Sequence, residues 1–180
     1  MVFTDIAIRA ARSTDLPLLG PLEDRSAARF KDSAHPYCVD FPHFDAQRLA
    51  ELSEAGTVWV AVTSADEPIG FVIAERWGDD GYVHELDVEA EHGRRGVGRA
   101  LLARVAEWAR QQGARSLLLS TFNDVPWNAP FYARLGFVEV PLVAYTPAMH
   151  AQRQSDADAG LRLSSRVMMR APLASLANRS

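Results

Sequence analysis

The stretch Val88-Glu89-Ala90-Glu91-His92-Gly93-Arg94-Arg95-Gly96-Val97-Gly98-Arg99-Ala100-Leu101-Leu102 reads as the end of a strand, a Gly/Arg turn and the opening of an amphipathic helix. That layout makes an anion cradle. The first amides of a helix have no carbonyl partner within it, and glycines let the backbone come close to a guest. Gly93, Gly96 and Gly98 stand in the turn, and Arg94, Arg95 and Arg99 add positive charge there. A diphosphate suits both features. Two other phosphate-binding turns do not fit. No Gly-Lys-Ser/Thr follows, so a nucleotide P-loop would lack its lysine and its magnesium-binding hydroxyl. The glycine spacing also departs from a dinucleotide turn, and no acidic ribose-binding residue stands at the end of the next strand, residues 116–122.

Working back from the turn, residues 82–88 read as a fourth strand. Residues 57–63 and 69–77 form a β-branched and aromatic hairpin around Ser64-Ala65-Asp66-Glu67-Pro68. A first strand is predicted at 6–9, then a helix capped by Ser13 or Thr14, with Pro17 in its first turn, running to about Phe30. A shaped loop at 33–42 and a short helix at 45–55 follow. Forward from the turn, Val97, Leu101, Leu102, Val105, Trp108 and Ala109 share one helical face, while Arg99, Arg104, Glu107 and Arg110 share the other. Gly113 closes that helix. Then come a buried strand through Leu117-Leu118-Leu119, a helix at 128–135 ended by Gly136, and a sixth strand at 137–140. A helix from Thr146-Pro147 to about 159 and a last strand at 163–170 complete the pattern. Residues 171–180 read as a frayed tail.

With 180 residues, 48% hydrophobic and 23% charged, residues 1–180 are expected to form a single cored domain. A formal charge of −4 argues against nucleic acid or an anionic membrane as partner. Cys38 is the only cysteine and no Cys/His spacing resembles a zinc site, so neither an internal disulfide nor a metal is expected. Asp5 stands where an export signal wants basic residues, and no apolar run reaches spanning length. A soluble protein of a reducing cytoplasm is the expectation.

The opening Ile6-x-Ile8-Arg9-x-Ala11-x-x-x-Asp15-Leu16, the segment Leu86-Asp87-Val88 to Gly98, the helix and strand from Arg99 to Thr121, and Phe131-Tyr132-Ala133-Arg134-Leu135-Gly136-Phe137 together resemble the GNAT superfamily of acetyl-CoA-dependent N-acetyltransferases. The last piece is the most specific. The resemblance implies an α/β (α+β) fold: a mixed, mostly antiparallel six- to seven-stranded sheet, splayed between strands 4 and 5 and flanked by helices on both faces. It implies acetyl-CoA as co-substrate, lying in that opening. By the same resemblance, the backbone of Leu86 and Val88, with Asp87 between them, would hold the pantetheine and the acetyl carbonyl. The amides of Arg94, Arg95, Gly96, Val97, Gly98, Arg99 and Ala100 would hold the pyrophosphate. Two places depart from the family pattern. Gly93 stands where Arg or Gln is usual, and Val125 stands where Asn is often found, leaving Asn128 or Asn123 as substitutes.

Acetyl transfer to a primary amine needs a base for the ammonium proton and a donor for the departing thiolate. Tyr132 is the expected acid, since its phenol stays protonated at working pH. Glu85 is the expected base, followed by Asp87 and His84; strict alternation puts Glu85 and Asp87 on one face and His84 on the other unless a bulge intervenes. Tyr37, Phe41 and Tyr145 are candidates for the acceptor mouth. The acceptor is expected to be a small molecule or a peptide amine, and the assembly is compatible with a homodimer. A silent acyl-CoA-binding sensor and a transferase for another acyl group are the alternatives.

Overall fold

Alternating β-branched and aromatic residues place seven strands side by side in the computed structural model, which describes residues 6–176. β1 (Ile6–Ala10) pairs antiparallel with β2 (Val58–Thr63), and β2 with β3 (Pro68–Trp77). β4 (Asp80–Val88) lies next to β3 and pairs in parallel with β5 (Ser116–Phe122) over Asp80–Val83 and Ser116–Leu119. That parallel ladder ends at Val83 and Leu119, although β4 continues to Val88 and β5 to Phe122. β7 (Arg166–Pro172) runs antiparallel to β5, and β6 (Val138–Glu139) pairs with β7 at the edge. The order β1-β2-β3-β4-β5-β7-β6 is the expected mixed sheet.

The chain divides into two compact units, one running to Glu75 and resuming over His84–Glu107, the other taking Arg76–Val83 and the residues from Trp108 onward. In the first unit, Val58, Val60 and Val62 of β2 and Phe71 and Ile73 of β3 turn to one face. There they pack with Leu19 and Leu22 of α1 (Leu16–Ala27) and Leu49 and Leu52 of α2 (Ala46–Glu54). The opposite face of β2 carries the buried Trp59, with the Arg104 guanidinium of α3 (Val97–Gln111) 5.4 Å from the ring centre. All six residues assigned to the inner face of α3 are buried.

The start of α1 differs from the expected cap. Asp15, not Ser13 or Thr14, precedes the helix, and its carboxylate is held by Arg9 at 2.6 and 3.0 Å and by the Arg12 amide at 2.7 Å. This pairing with Arg9 holds the Asp15 carboxyl below its usual range despite burial. The α-helix also ends at Ala27, continuing as a 3-10 turn over Ala28–Asp32. Before α2, Asp45 caps the helix by accepting the Arg48 amide at 2.8 Å.

In the second unit, Tyr82, Leu118, Val140, Met149 and Met168 form a core, with Trp77 stacked on Tyr82 at 3.7 Å between ring centres. Gly81 permits the end of α3 to approach β4, since a Cβ there would stand 3.0 Å from both Ala109 and Leu117. α4 (Ala129–Leu135) ends at Gly136, in the left-handed conformation with φ 100°, and α5 (Pro147–Asp158) is capped by Thr146. Three expectations shift here. The sixth strand shrinks to Val138–Glu139 before Pro141. The last strand starts at Arg166, because Leu163–Ser165 form a 3-10 turn whose Ser165 hydroxyl donates to Asp124 at 2.9 Å. Residues 171–176 are not frayed: β7 runs to Pro172, and α6 (Leu173–Leu176) is anchored by the buried Leu173, whose amide donates to the Arg115 carbonyl and whose carbonyl accepts from Arg110. Residues 177–180 lie outside the described residues.

Candidate active site

The Gly/Arg turn folds as the sequence suggests. A 3-10 turn over Ala90–His92 leads into Gly93, Arg94 takes φ 59°, and Gly96 takes φ 84°. Two left-handed residues so close together curl the backbone tightly ahead of α3. The Ala100 amide donates to the Gly96 carbonyl at 2.9 Å, closing the first helical hydrogen bond. The Ala100 amide thus already has a carbonyl partner. The amides of Val97, Gly98 and Arg99, ahead of that bond, have no carbonyl of the helix to bond. Arg94, Arg95 and Arg99 are exposed around them, and Arg95 reaches the His92 ring at 3.3 Å. A turn with this curl, these amides and this charge fits a diphosphate.

On the strand leading into the turn, Leu86, Asp87 and Val88 are half-buried. The Val88 carbonyl accepts a 3.1 Å bond from Arg29, whose guanidinium also holds the Ser26 hydroxyl and carbonyl. Gly70 of β3 makes room for this strand, because a Cβ there would meet the Asp87 carbonyl at 2.8 Å.

The Glu85 and Asp87 carboxyls are hydrogen-bonded to each other, and Asp87 also engages Ser26. Burial raises the Asp87 pKa, against the opposing pull of Ser26, Glu85 and the nearby Arg29. Its Oδ2 is buried without a hydrogen-bond partner. His84 goes elsewhere: its Nε2 lies 3.0 Å from Glu75, which also binds Arg48, and its ring meets Phe44 edge-on at 5.7 Å. Burial lowers its pKa in spite of Glu75, so a neutral imidazole with its Nε2 hydrogen toward the carboxylate is the ground state. His84 reaches Arg48's partner on the α2 side and Asp87 reaches Ser26 of α1, on the same helical layer, although the two are an odd number apart. The alternation of β4 is thus interrupted between them.

Glu23 escaped the sequence reading. It is half-buried on α1, accepts from the Phe44 amide at 3.4 Å, and has its pKa pushed up to about 7 by burial and by the charge of Asp87. The signal was present: Leu16, Leu19, Gly20 and Glu23 follow the i, i+3, i+4, i+7 spacing of a buried stripe, with a carboxylate where an apolar residue is ordinary.

In the second unit, Asn128 and Tyr132 belong to one turn. The Asn128 carbonyl accepts from the amides of Phe131 at 2.8 Å and Tyr132 at 3.1 Å, and the Tyr132 ring meets Phe131 and Phe137 edge-on at 5.1 and 5.6 Å. Gly136 lets the chain reverse so that the Phe137 amide bonds the Tyr132 carbonyl at 3.1 Å. Tyr145, a candidate for the acceptor mouth, instead packs against the core, and its hydroxyl accepts from the Met168 amide at 3.1 Å. Tyr37 reaches the buried His35 at 3.0 Å. Among the described residues, no cluster of His, Cys, Asp or Glu could hold a metal, and no helix is long and apolar enough to cross a membrane.

Residues 24–137 match the acetyltransferase (GNAT) family, and the chain belongs to it. Solved structures share the fold. The N-acetylglutamate synthase of Neisseria gonorrhoeae, complexed with coenzyme A and N-acetyl-glutamate, aligns with a TM-score of 0.69 and 18% identity. That alignment covers 96% of this chain, which spans only 36% of the synthase. The PaiA N-acetyltransferase of Thermoplasma acidophilum, in complex with coenzyme A, gives 0.69 at 15% identity over 93% of this chain and 98% of that one. The ribosomal-protein-S18-alanine N-acetyltransferase of Escherichia coli gives 0.63 at 19% identity over 93% and 94%.

Proposed function

We propose that this chain transfers the acetyl group of acetyl-CoA directly to a primary amine of a small molecule or peptide. The observation that carries this reading is the turn ahead of α3, in a chain of the acetyltransferase family: the first-turn amides of Val97, Gly98 and Arg99, the curl at Gly96, and three arginines around them. These groups would hold the pyrophosphate. The strand from Leu86 to Val88 would steady the pantetheine through its backbone.

Acetyl-CoA supplies an acetyl thioester. For transfer, the amine must lose a proton, a nitrogen–carbon bond forms, the carbon–sulfur bond breaks, and the departing thiolate takes a proton. Glu85 is assigned the first proton. Glu85 is tied to Asp87, whose pKa burial raises against the pull of that bond, and this contact positions the Glu85 carboxyl. Tyr132, matched to the family through Phe131-Tyr132 and Gly136-Phe137, is assigned the proton given to sulfur. The amine and thiolate are thereby neutralised without a covalent enzyme intermediate. The Asn128 carbonyl fixes the backbone of Tyr132, while Asp87, itself engaged by Ser26 and near Arg29, holds Glu85.

The binding half is tested by thermal unfolding. Acetyl-CoA at ~100 times its dissociation constant should add ~2.7 kcal/mol of stability. An unshifted melting temperature at saturating acetyl-CoA would remove the cradle from the account.

A further inference from the structure

A cavity of about 210 Å³ opens in the first unit beside α1 and the start of α2. Leu16, Leu19, Phe44, Leu49, Phe71 and Ile73 give it apolar walls, and Glu23 is the one carboxyl on its lining. An apolar cavity of about 150 Å³ is large enough for benzene, so this volume suits a ring-sized group on a short arm. A carboxyl in such walls is costly unless something compensates it. Glu23 also feels the charge of Asp87, whose buried Oδ2 has no hydrogen-bond partner. An ammonium group offers Glu23 both hydrogens and positive charge.

We infer that this cavity receives the apolar body of the acceptor, so that the acceptor is a primary amine bearing a compact apolar group, its ammonium held by Glu23. The word acceptor rests on the acetyl-transfer reading; the binding assignment rests on the cavity. Gly20 fits the arrangement, because a Cβ there would come within 2.9 Å of the His43 ring that borders the cavity. The groups facing Glu23 are Asp24 on α1, Asp87 on β4, and His43 with the Phe44 amide from the loop before α2. His43 is bonded to Asp24 at 2.7 Å, so its charge is already matched and does not replace an ammonium at Glu23. Because Glu23 takes its proton near neutrality, amine binding should strengthen between pH 6 and pH 8, while the amine itself stays protonated.

The test is calorimetric titration of the whole chain, without acetyl-CoA, using benzylamine, ethanolamine and benzyl alcohol as probes. Benzylamine should bind at least about tenfold more tightly than either of the others. Glu23→Gln should weaken it by about tenfold or more. Ala46→Phe, which fills the cavity from the first turn of α2, should do the same and keeps the test decisive if the first variant fails to fold. Equal affinity for benzylamine and ethanolamine, equal affinity for benzylamine and benzyl alcohol, or indifference to the variants overturns the inference. Acetyl-CoA binding on the same samples separates the two readings. Acetyl-CoA bound without benzylamine overturns the cavity assignment alone, whereas variant-sensitive benzylamine binding without acetyl-CoA binding supports the cavity and overturns acetyl transfer.

Discussion

The carboxyls of Glu85 and Asp87, two residues apart on β4, are hydrogen-bonded to each other. Two carboxyl groups can bond in this way only with a proton between them, and burial raises the Asp87 pKa while the bond to Glu85 lowers it. If Glu85 is the base, its loss of a proton-accepting oxygen should abolish the acidic limb of the pH–rate profile. Glu85→Gln is therefore expected to lower turnover by about 10²-fold and flatten that limb. A limb that survives the substitution would move the role to Asp87 or His84.

Tyr132→Phe keeps the ring contacts with Phe131 and Phe137 and removes only the hydroxyl. Turnover should fall by about 10²-fold with little change in the KM for acetyl-CoA. Steady-state kinetics at saturating amine read the two parameters separately; equal losses in both would assign the ring to packing.

Gly96→Ala forces a Cβ into φ 84° in the cradle, whereas Gly113→Ala imposes similar strain at φ 73° on the far end of α3. Each should cost about 1 kcal/mol of stability. Only Gly96→Ala should also weaken acetyl-CoA, by about tenfold. Calorimetric titration of both variants checks this, and equal weakening would mean that the turn has no special part in binding.

Glu23 makes stability depend on pH in an unusual direction. Its pKa is about 7 in the fold and near 4.5 when the chain is unfolded. Below the lower value both states hold the proton and the fold carries no charge there. As pH rises through 7 the fold must ionise a half-buried carboxyl, and that part of its stability is lost. Glu23→Gln should therefore be less pH-sensitive and, at pH 8, more stable than the parent by about 1 kcal/mol after allowing for solvent screening. Chemical denaturation at pH 5 and pH 8 gives the comparison; a variant less stable at both would contradict the assigned cause.

The turn and helix from Val88 to Leu102 were legible because glycine spacing and a 3.6-residue stripe act locally. The strand at 116–122 was legible for the same reason. What escaped depends on distant partners. The α1 cap moved to Asp15 because Arg9, on a different element, holds it. Residues 171–176 are ordered because Arg110 and Arg115 bind Leu173. Glu23 and Asp87 stand far apart along the chain, and only folding places one carboxyl within the field of the other.

The most direct test of the central claim is the release of free coenzyme A thiol from acetyl-CoA, measured against a panel of amines that includes benzylamine, polyamines, amino acids and peptide N-termini. The account predicts amine-dependent thiol release with an equal amount of N-acetylated product from at least one class. Tight acetyl-CoA binding with no amine-dependent thiol release across the panel would contradict it.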